Sequence, residues 1–182
     1  MKKDVVVVES RSMSNAFETF GLSPKYNIDL FDLENRHRRA LSFVHPDLFV
    51  KKTAQERAAA ATVAMKFNES YQILKDPLKR AAEILRSRGI EVPGENGKTV
   101  GHSTLLVRVM QWREELAACR FEKELTNLET DLKKRLEFVK SAFDGSDADS
   151  LPYLYLEFAY LTKILEEIYY HPLRKPHVRS TR

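Results

Sequence analysis

This 182-residue chain has one cysteine, six glycines and no apolar run approaching the roughly 20 residues that a membrane-crossing helix needs. The lone Cys119 excludes an internal disulfide and a cysteine-cluster metal site, and it points to a reducing compartment. A cytoplasmic location is the expectation. The valine run at 5–8 is too short for a secretory signal, and Asp4 and Glu9 argue against an organelle transit peptide. So few glycines argue against an all-β chain. Hydrophobic content of 43% and charged content of 31% fit a helical globular protein. There is no glycine-rich phosphate loop, so no nucleotide site is expected. The histidines show no metal-ligand spacing with acidic or sulfur partners, so no metal and no cofactor is expected.

The pI is about 9.1, but the basic charge is not spread evenly. Residues 1–90 carry 16 Lys/Arg against 11 Asp/Glu, and residues 91–170 carry 10 against 15. The tail adds Arg174, Lys175, Arg179 and Arg182. A basic first half and an acidic second half suit two partners of different charge better than one polyanion.

The pattern along the chain is helical throughout. A polar extension, 1–13, precedes a short helix from Asn15 to Phe20 that ends at Gly21. A second helix starts after the N-cap Asp29 and carries Leu33, Ala40, Leu41 and Val44 at helical spacing. His45-Pro46-Asp47 must stop it, because proline pushes the residue before it away from the α region. A short polar loop, 48–53, leads to a third helix from about Ala54, with Val63, Ala64, Phe67, Tyr71 and Leu74 on one face. Pro77 suits the first turn of a fourth helix that ends before Gly89. The breaker cluster at 91–101 (Pro93, Gly94, Gly97, Gly101) marks a domain boundary. Beyond it lie three apolar stripes. The first is Leu105, Val109, Trp112 and Leu116. The second runs through Phe121, Leu125, Leu128, Leu132, Leu136, Val139 and Phe143. The third runs through Leu151, Leu154, Phe158, Leu161, Leu165 and Ile168. The expected architecture is all-α: an N-terminal helical hairpin with flanking short helices over 14–90, and an antiparallel three-helix bundle over 102–170, followed by a basic tail, 171–182. Cys119 reads as a small core residue.

The His45-Pro46-Asp47 corner is stiff and carries an imidazole and a carboxylate, which suits recognition. The plain alternative is a helix stop with Asp47 as a turn residue. A catalytic pair lacks a nucleophile nearby, and Pro46 is expected to hold the two side chains apart. Together with Phe17-Glu18-Thr19-Phe20-Gly21-Leu22, Phe67 to Pro77 and Lys79-Arg80-Ala81, the corner resembles a J-domain. The stretch Leu105 to Leu116, with Arg113-Glu114-Glu115-Leu116, is similar to the C-terminal domain of the HscB family of J-domain co-chaperones in iron–sulfur cluster biogenesis.

The resemblance implies a non-enzymatic co-chaperone that stimulates the ATPase of a DnaK/HscA-type chaperone and binds an IscU-like iron–sulfur scaffold. It assigns chaperone contact to His45, Pro46 and Asp47 with Arg36, Arg38 and Arg39 of the basic second helix, helped by Lys51 and Lys52. Ser42, Phe43 and Leu48 stand where the family is often basic, which shifts weight to Arg36 and Arg39. Scaffold contact falls on Leu106, Val107, Met110, Gln111, Glu114 and Tyr160. One acidic family contact falls on Ala118 and is missing. Two alternatives remain: a J-domain adaptor for another client, and a basic nucleic-acid binder using Arg36–Arg39. Against the latter stand the acidic second half and the lack of a base-reading helix.

Overall fold

The structure, a computed structural model, describes residues 15–95 and 102–174. The valine run, the end of the interdomain segment and the tail beyond Arg174 lie outside the described residues. Among the described residues seven α-helices and one 3-10 turn follow in order: α1 Ala16–Thr19, α2 Leu30–Ser42, the turn Pro46–Phe49, α3 Ala54–Lys75, α4 Pro77–Ser87, α5 Ser103–Ala118, α6 Glu122–Ala142 and α7 Leu151–Tyr169. The described residues hold no strand.

Local chemistry sets these boundaries. Asp29 caps α2 by accepting from the Phe31 and Asp32 amides. Thr53 and Glu56 form a reciprocal capping box at α3. Asp76 caps α4 through the Leu78 and Lys79 amides, with Pro77 in the first turn. Helix α4 ends in a Schellman motif. Gly89 adopts a φ of 71°, its N–H reaches the Arg86 carbonyl, and the Ile90 N–H reaches Leu85 at 2.9 Å.

Helices α2 and α3 form the hairpin, with α1 laid against α3. In the second half α6 and α7 form the main packed pair. Two contacts fix the direction of α5 against α7: His102 meets Tyr153 edge-on at 5.4 Å, and Arg113 pairs with Glu167 at 3.2 Å. Lower numbers meet lower and higher meet higher, so α5 and α7 run parallel, with α6 antiparallel between them in sequence.

One continuous apolar core joins the two halves. It runs from Phe17, Leu33 and Leu74 through Ile84, Leu85 and Val92 to Leu105, Leu132 and Leu161. Val92 and Pro93 are buried, so the start of the glycine- and proline-rich segment packs as part of the core.

Several expectations need correction. Val63 is 42% exposed, while the rest of the expected α3 face, Ala64, Phe67, Tyr71 and Leu74, packs and is continued by Ala60. Phe121 is exposed at the N-cap of α6, where the chain turns. Leu128 is only half-buried. Cys119 sits at the edge of the core: it caps the end of α5, half-buried against the core residues, with its thiol donating to the Glu115 carbonyl at 3.3 Å. The 48–53 loop begins as a 3-10 turn, since Pro46 and the residues after it hold i→i+3 bonding such as Leu48 N–H to His45 C=O at 3.0 Å.

Candidate functional site

The corner between α2 and α3 stands out from the fold. His45 has φ −61° and ψ 135°, extended as the following proline requires. No residue of the Pro46–Phe49 turn is buried. The side chains of His45 and Asp47 are well exposed, and the expectation that Pro46 separates them is overturned: Nδ1 lies 3.5 Å from Oδ2. The Asp47 amide also donates to Nδ1 at 3.4 Å. The proline directs the chain into a tight turn, and the turn brings residues i and i+2 back together. Beneath the corner lies an apolar cleft of about 320 Å³, lined by Val44, Pro46, Phe49, Ala60, Ala64 and Met65. Phe43, Leu48 and Val50, in the same stretch of chain, are each more than half exposed.

The basic cluster of α2 divides by partner. Arg36 pairs with Asp32 at 2.8 Å and donates to the Phe20 carbonyl at 3.0 Å, tying α2 to the end of α1. Arg38 pairs with Glu34 at 2.8 Å one turn away. Arg39 is exposed, with no ion-pair partner among the described residues. Lys52 lies 3.9 Å from Glu56. His37 is not part of a charged outer face. Its ring stacks on Tyr71 and its Nε2 bonds Asn68 at 2.9 Å.

On α5 the sequence stripe separates into two faces. Leu105, Val109 and Leu116 are buried, while Leu106, Val107 and Met110 are 40%, 55% and 61% exposed. Gln111 and Glu114 are exposed beside them. Tyr160 is half-buried on α7. It stands two turns from Tyr153 and two turns from Glu167, the residues that meet His102 and Arg113. Tyr160 therefore lies on the stripe of α7 that faces α5, level with Leu106 and Met110. Apolar surface ringed by polar groups is the composition of a docking site. Ala118 is exposed at the far end of α5.

Three arrangements had no local sequence signal. Arg80 is buried and donates to the carbonyls of Leu74 at 2.7 Å and Tyr26 at 2.9 Å. Burial pushes the Tyr26 phenol up to about 12, against the opposing pull of Arg80. Asp144, at the end of α6, accepts from the backbone of Tyr26 at 2.5 Å and Asn27 at 3.0 Å. Fully buried Glu157 of α7 takes a two-pronged bond from Arg135 at 2.7 and 2.8 Å, and this bond raises the Arg135 guanidinium above its ordinary value. Among the described residues no cluster of three or more metal-ligating side chains occurs, and no helix is long and apolar enough to cross a membrane.

Comparison with known proteins gives this geometry a context. Residues 102–169 match the family described as the HSCB C-terminal oligomerisation domain. The chain is 40% identical over 106 residues to the co-chaperone protein HscB homolog of Shewanella sp. (strain ANA-3), a match that takes in 58% of this chain and 60% of that protein. It is 30% identical over 163 residues to the HscB homolog of Neisseria meningitidis, taking in 86% of this chain and 98% of the relative. The solved chaperone HscB from Vibrio cholerae superposes with a TM-score of 0.69 at 28% identity, over 85% of this chain and 95% of that one. The human co-chaperone HscB shares the fold, with a TM-score of 0.71 at 24% identity over 87% of this chain and 82% of that one. The curated similarity extends over nearly the whole Neisseria relative and the helical architecture is shared, so the chain belongs to the HscB family of co-chaperones.

Proposed function

We propose that this protein binds an IscU-like iron–sulfur scaffold through its second half and stimulates the ATPase of a DnaK/HscA-type chaperone through its first. Residues 14–90 supply the chaperone contact, residues 102–170 hold the scaffold, and 91–101 connect them. The observation that carries the reading is the second, exposed apolar face of α5, which the bundle core does not use. Leu106, Val107 and Met110 form its centre, Gln111 and Glu114 its polar rim, and Tyr160 its flank. A helix needs one buried stripe to fold, and a second at the surface suits a partner.

At the other end, the side chains of His45 and Asp47 are presented well exposed, on a turn that rests against α3. Arg39 is the cation best placed for docking, because Arg36 and Arg38 are engaged within the protein. Stimulation is allosteric: the loop favours the hydrolysing state of the partner by differential contacts, and this chain supplies no catalytic group. The protein would act in the cytoplasm, where a single unpaired cysteine is stable.

Mixing the purified protein with a DnaK-type chaperone and an IscU-type scaffold tests the reading. Saturable scaffold binding by calorimetry, together with a rise in ATP turnover that needs an intact His45-Pro46-Asp47 corner, is the expected result. A protein that binds no scaffold yet still stimulates the ATPase would be an adaptor for another client.

A further inference from the structure

The two proposed partner surfaces lie on different halves of the chain, and a compact polar clasp spans the halves. The carboxylate of Asp144 receives two backbone N–H groups, from Tyr26 and Asn27. The same Tyr26 gives its carbonyl to buried Arg80, whose guanidinium also lies 5.2 Å from the Tyr26 ring centre. Tyr26 stacks on Phe143 at 5.3 Å and meets Phe158 edge-on at 6.0 Å. A further bond runs from Arg88 to the Ser146 carbonyl at 3.3 Å.

These contacts divide in what they do. The buried aromatic rings pack the halves face to face and edge to face, which restricts how they can move against each other. Two bonds diverging from one carboxylate to successive amides add a sharper constraint, because each has a preferred direction. Asp144 borders an open polar cleft of about 350 Å³, shared with Glu137 and Lys140, so it is not needed to fill the core. We propose that Asp144 is a positioning residue that sets the angle between the His45-Pro46-Asp47 corner and the exposed face of α5. Its role rests on the function proposed above. A scaffold held on α5 meets the chaperone at an effective concentration set by this geometry, and that advantage is lost when the angle is free.

Two measurements test this on the full-length chain. The first needs no partner. Spin labels at Lys51→Cys and Arg108→Cys, in a Cys119→Ser background, report the separation of the two surfaces by double electron–electron resonance. The unaltered clasp should give one narrow distance, and Asp144→Ala a broad or displaced one. An unchanged narrow distribution in Asp144→Ala overturns the proposal whether or not the protein stimulates any ATPase. The second measures chaperone ATPase with and without scaffold. Asp144→Ala should leave scaffold affinity and scaffold-free stimulation at the original level, while the extra gain from scaffold falls about tenfold. Asp144→Asn, which keeps one acceptor, serves if the alanine variant folds poorly. Glu137→Gln lines the same cleft without bonding the first half and should change nothing. Bridging Asn27→Cys to Asp144→Cys with a short bismaleimide should restore the gain. Failure of that bridge to restore it, or a full gain in Asp144→Ala, would show that the clasp has no positioning role.

Discussion

The imidazole of His37 lies flat on the ring of Tyr71, with centroids 4.2 Å apart and planes 6° from parallel. The same histidine meets Phe20 edge-on at 6.2 Å and bonds Asn68. A side chain in the middle of a basic run thus latches α2 to α3. Within the sequence Arg36-His37-Arg38-Arg39, the first two side chains hold the helices together while Arg39 faces outward, and the first predictions separate these roles.

Arg39→Glu should weaken chaperone docking with little change in thermal stability, since Arg39 is exposed. Arg36→Glu should do the reverse, costing about 1 kcal/mol of stability by removing its bonds to Asp32 and the Phe20 carbonyl. Thermal melts alongside a docking titration in two salt concentrations would check both. Equal stability of the two variants would refute the division of roles.

His45→Gln and Asp47→Asn should each abolish ATPase stimulation while circular dichroism and scaffold binding stay as they were. Both side chains are well exposed, so the circular dichroism spectrum is expected to stay unchanged while stimulation is lost. Full stimulation by Asp47→Asn would remove the loop from the mechanism.

The triple change Leu106→Ala, Met110→Ala, Tyr160→Ala should cost the scaffold much of its affinity, since apolar anchors at an interface contribute about 1–3 kcal/mol each. Leu132→Ala, 2% exposed in the core, should instead lower fold stability by about 3 kcal/mol. Calorimetric titration beside denaturant unfolding distinguishes the two. Wild-type scaffold affinity in the triple variant would make the face structural.

Glu157→Ala should destabilise the bundle by about 3 kcal/mol, because Arg135 would be left without the partner that its partly buried guanidinium needs. Chemical denaturation measures it. Replacing both residues with apolar side chains of similar size should recover much of the loss.

Glu56 gives a pH signature. Its carboxyl is held below its ordinary 4.5, first by the Thr53 backbone amide and then by the Thr53 hydroxyl. A depressed acid stabilises the fold above its unfolded value, and the contribution disappears as pH falls through the lower folded value. The melting difference between the unaltered protein and Glu56→Gln should therefore be present at pH 6 and shrink below 4.5. A difference independent of pH would exclude the capping charge as its source.

What the sequence disclosed was local. Asp29, the start of α3 at Ala54, Pro77 and Gly89 announce helix ends within a few residues, and each boundary appears where its chemistry puts it. The exposed face of α5 was legible too, because Leu106, Val107 and Met110 exceed what one stripe requires. Long-range pairing was not legible. Nothing near Tyr26 names Asp144, 118 residues away, and nothing near Arg135 names Glu157. Phe121 misled because it continues the α6 spacing, while the chain turns there and Glu124 reaches back to the Arg120 and Phe121 amides. Val63 misled for a different reason: in an alanine-rich helix the packed face is carried on by the small side chain of Ala60, and Val63 falls outside it.

The absence of buried side chains in the Pro46–Phe49 turn has a consequence for how variants of this protein should be judged. Exposed His45 and Asp47 can be replaced with little expected change in melting temperature or spectroscopic signature, so a screen for folded protein would pass such a variant as healthy. Only an assay that includes the chaperone would reveal the defect. Under the function proposed above, lesions at His45 and Asp47 would accumulate as folded and inactive protein, still able to occupy a scaffold and withhold it from working copies.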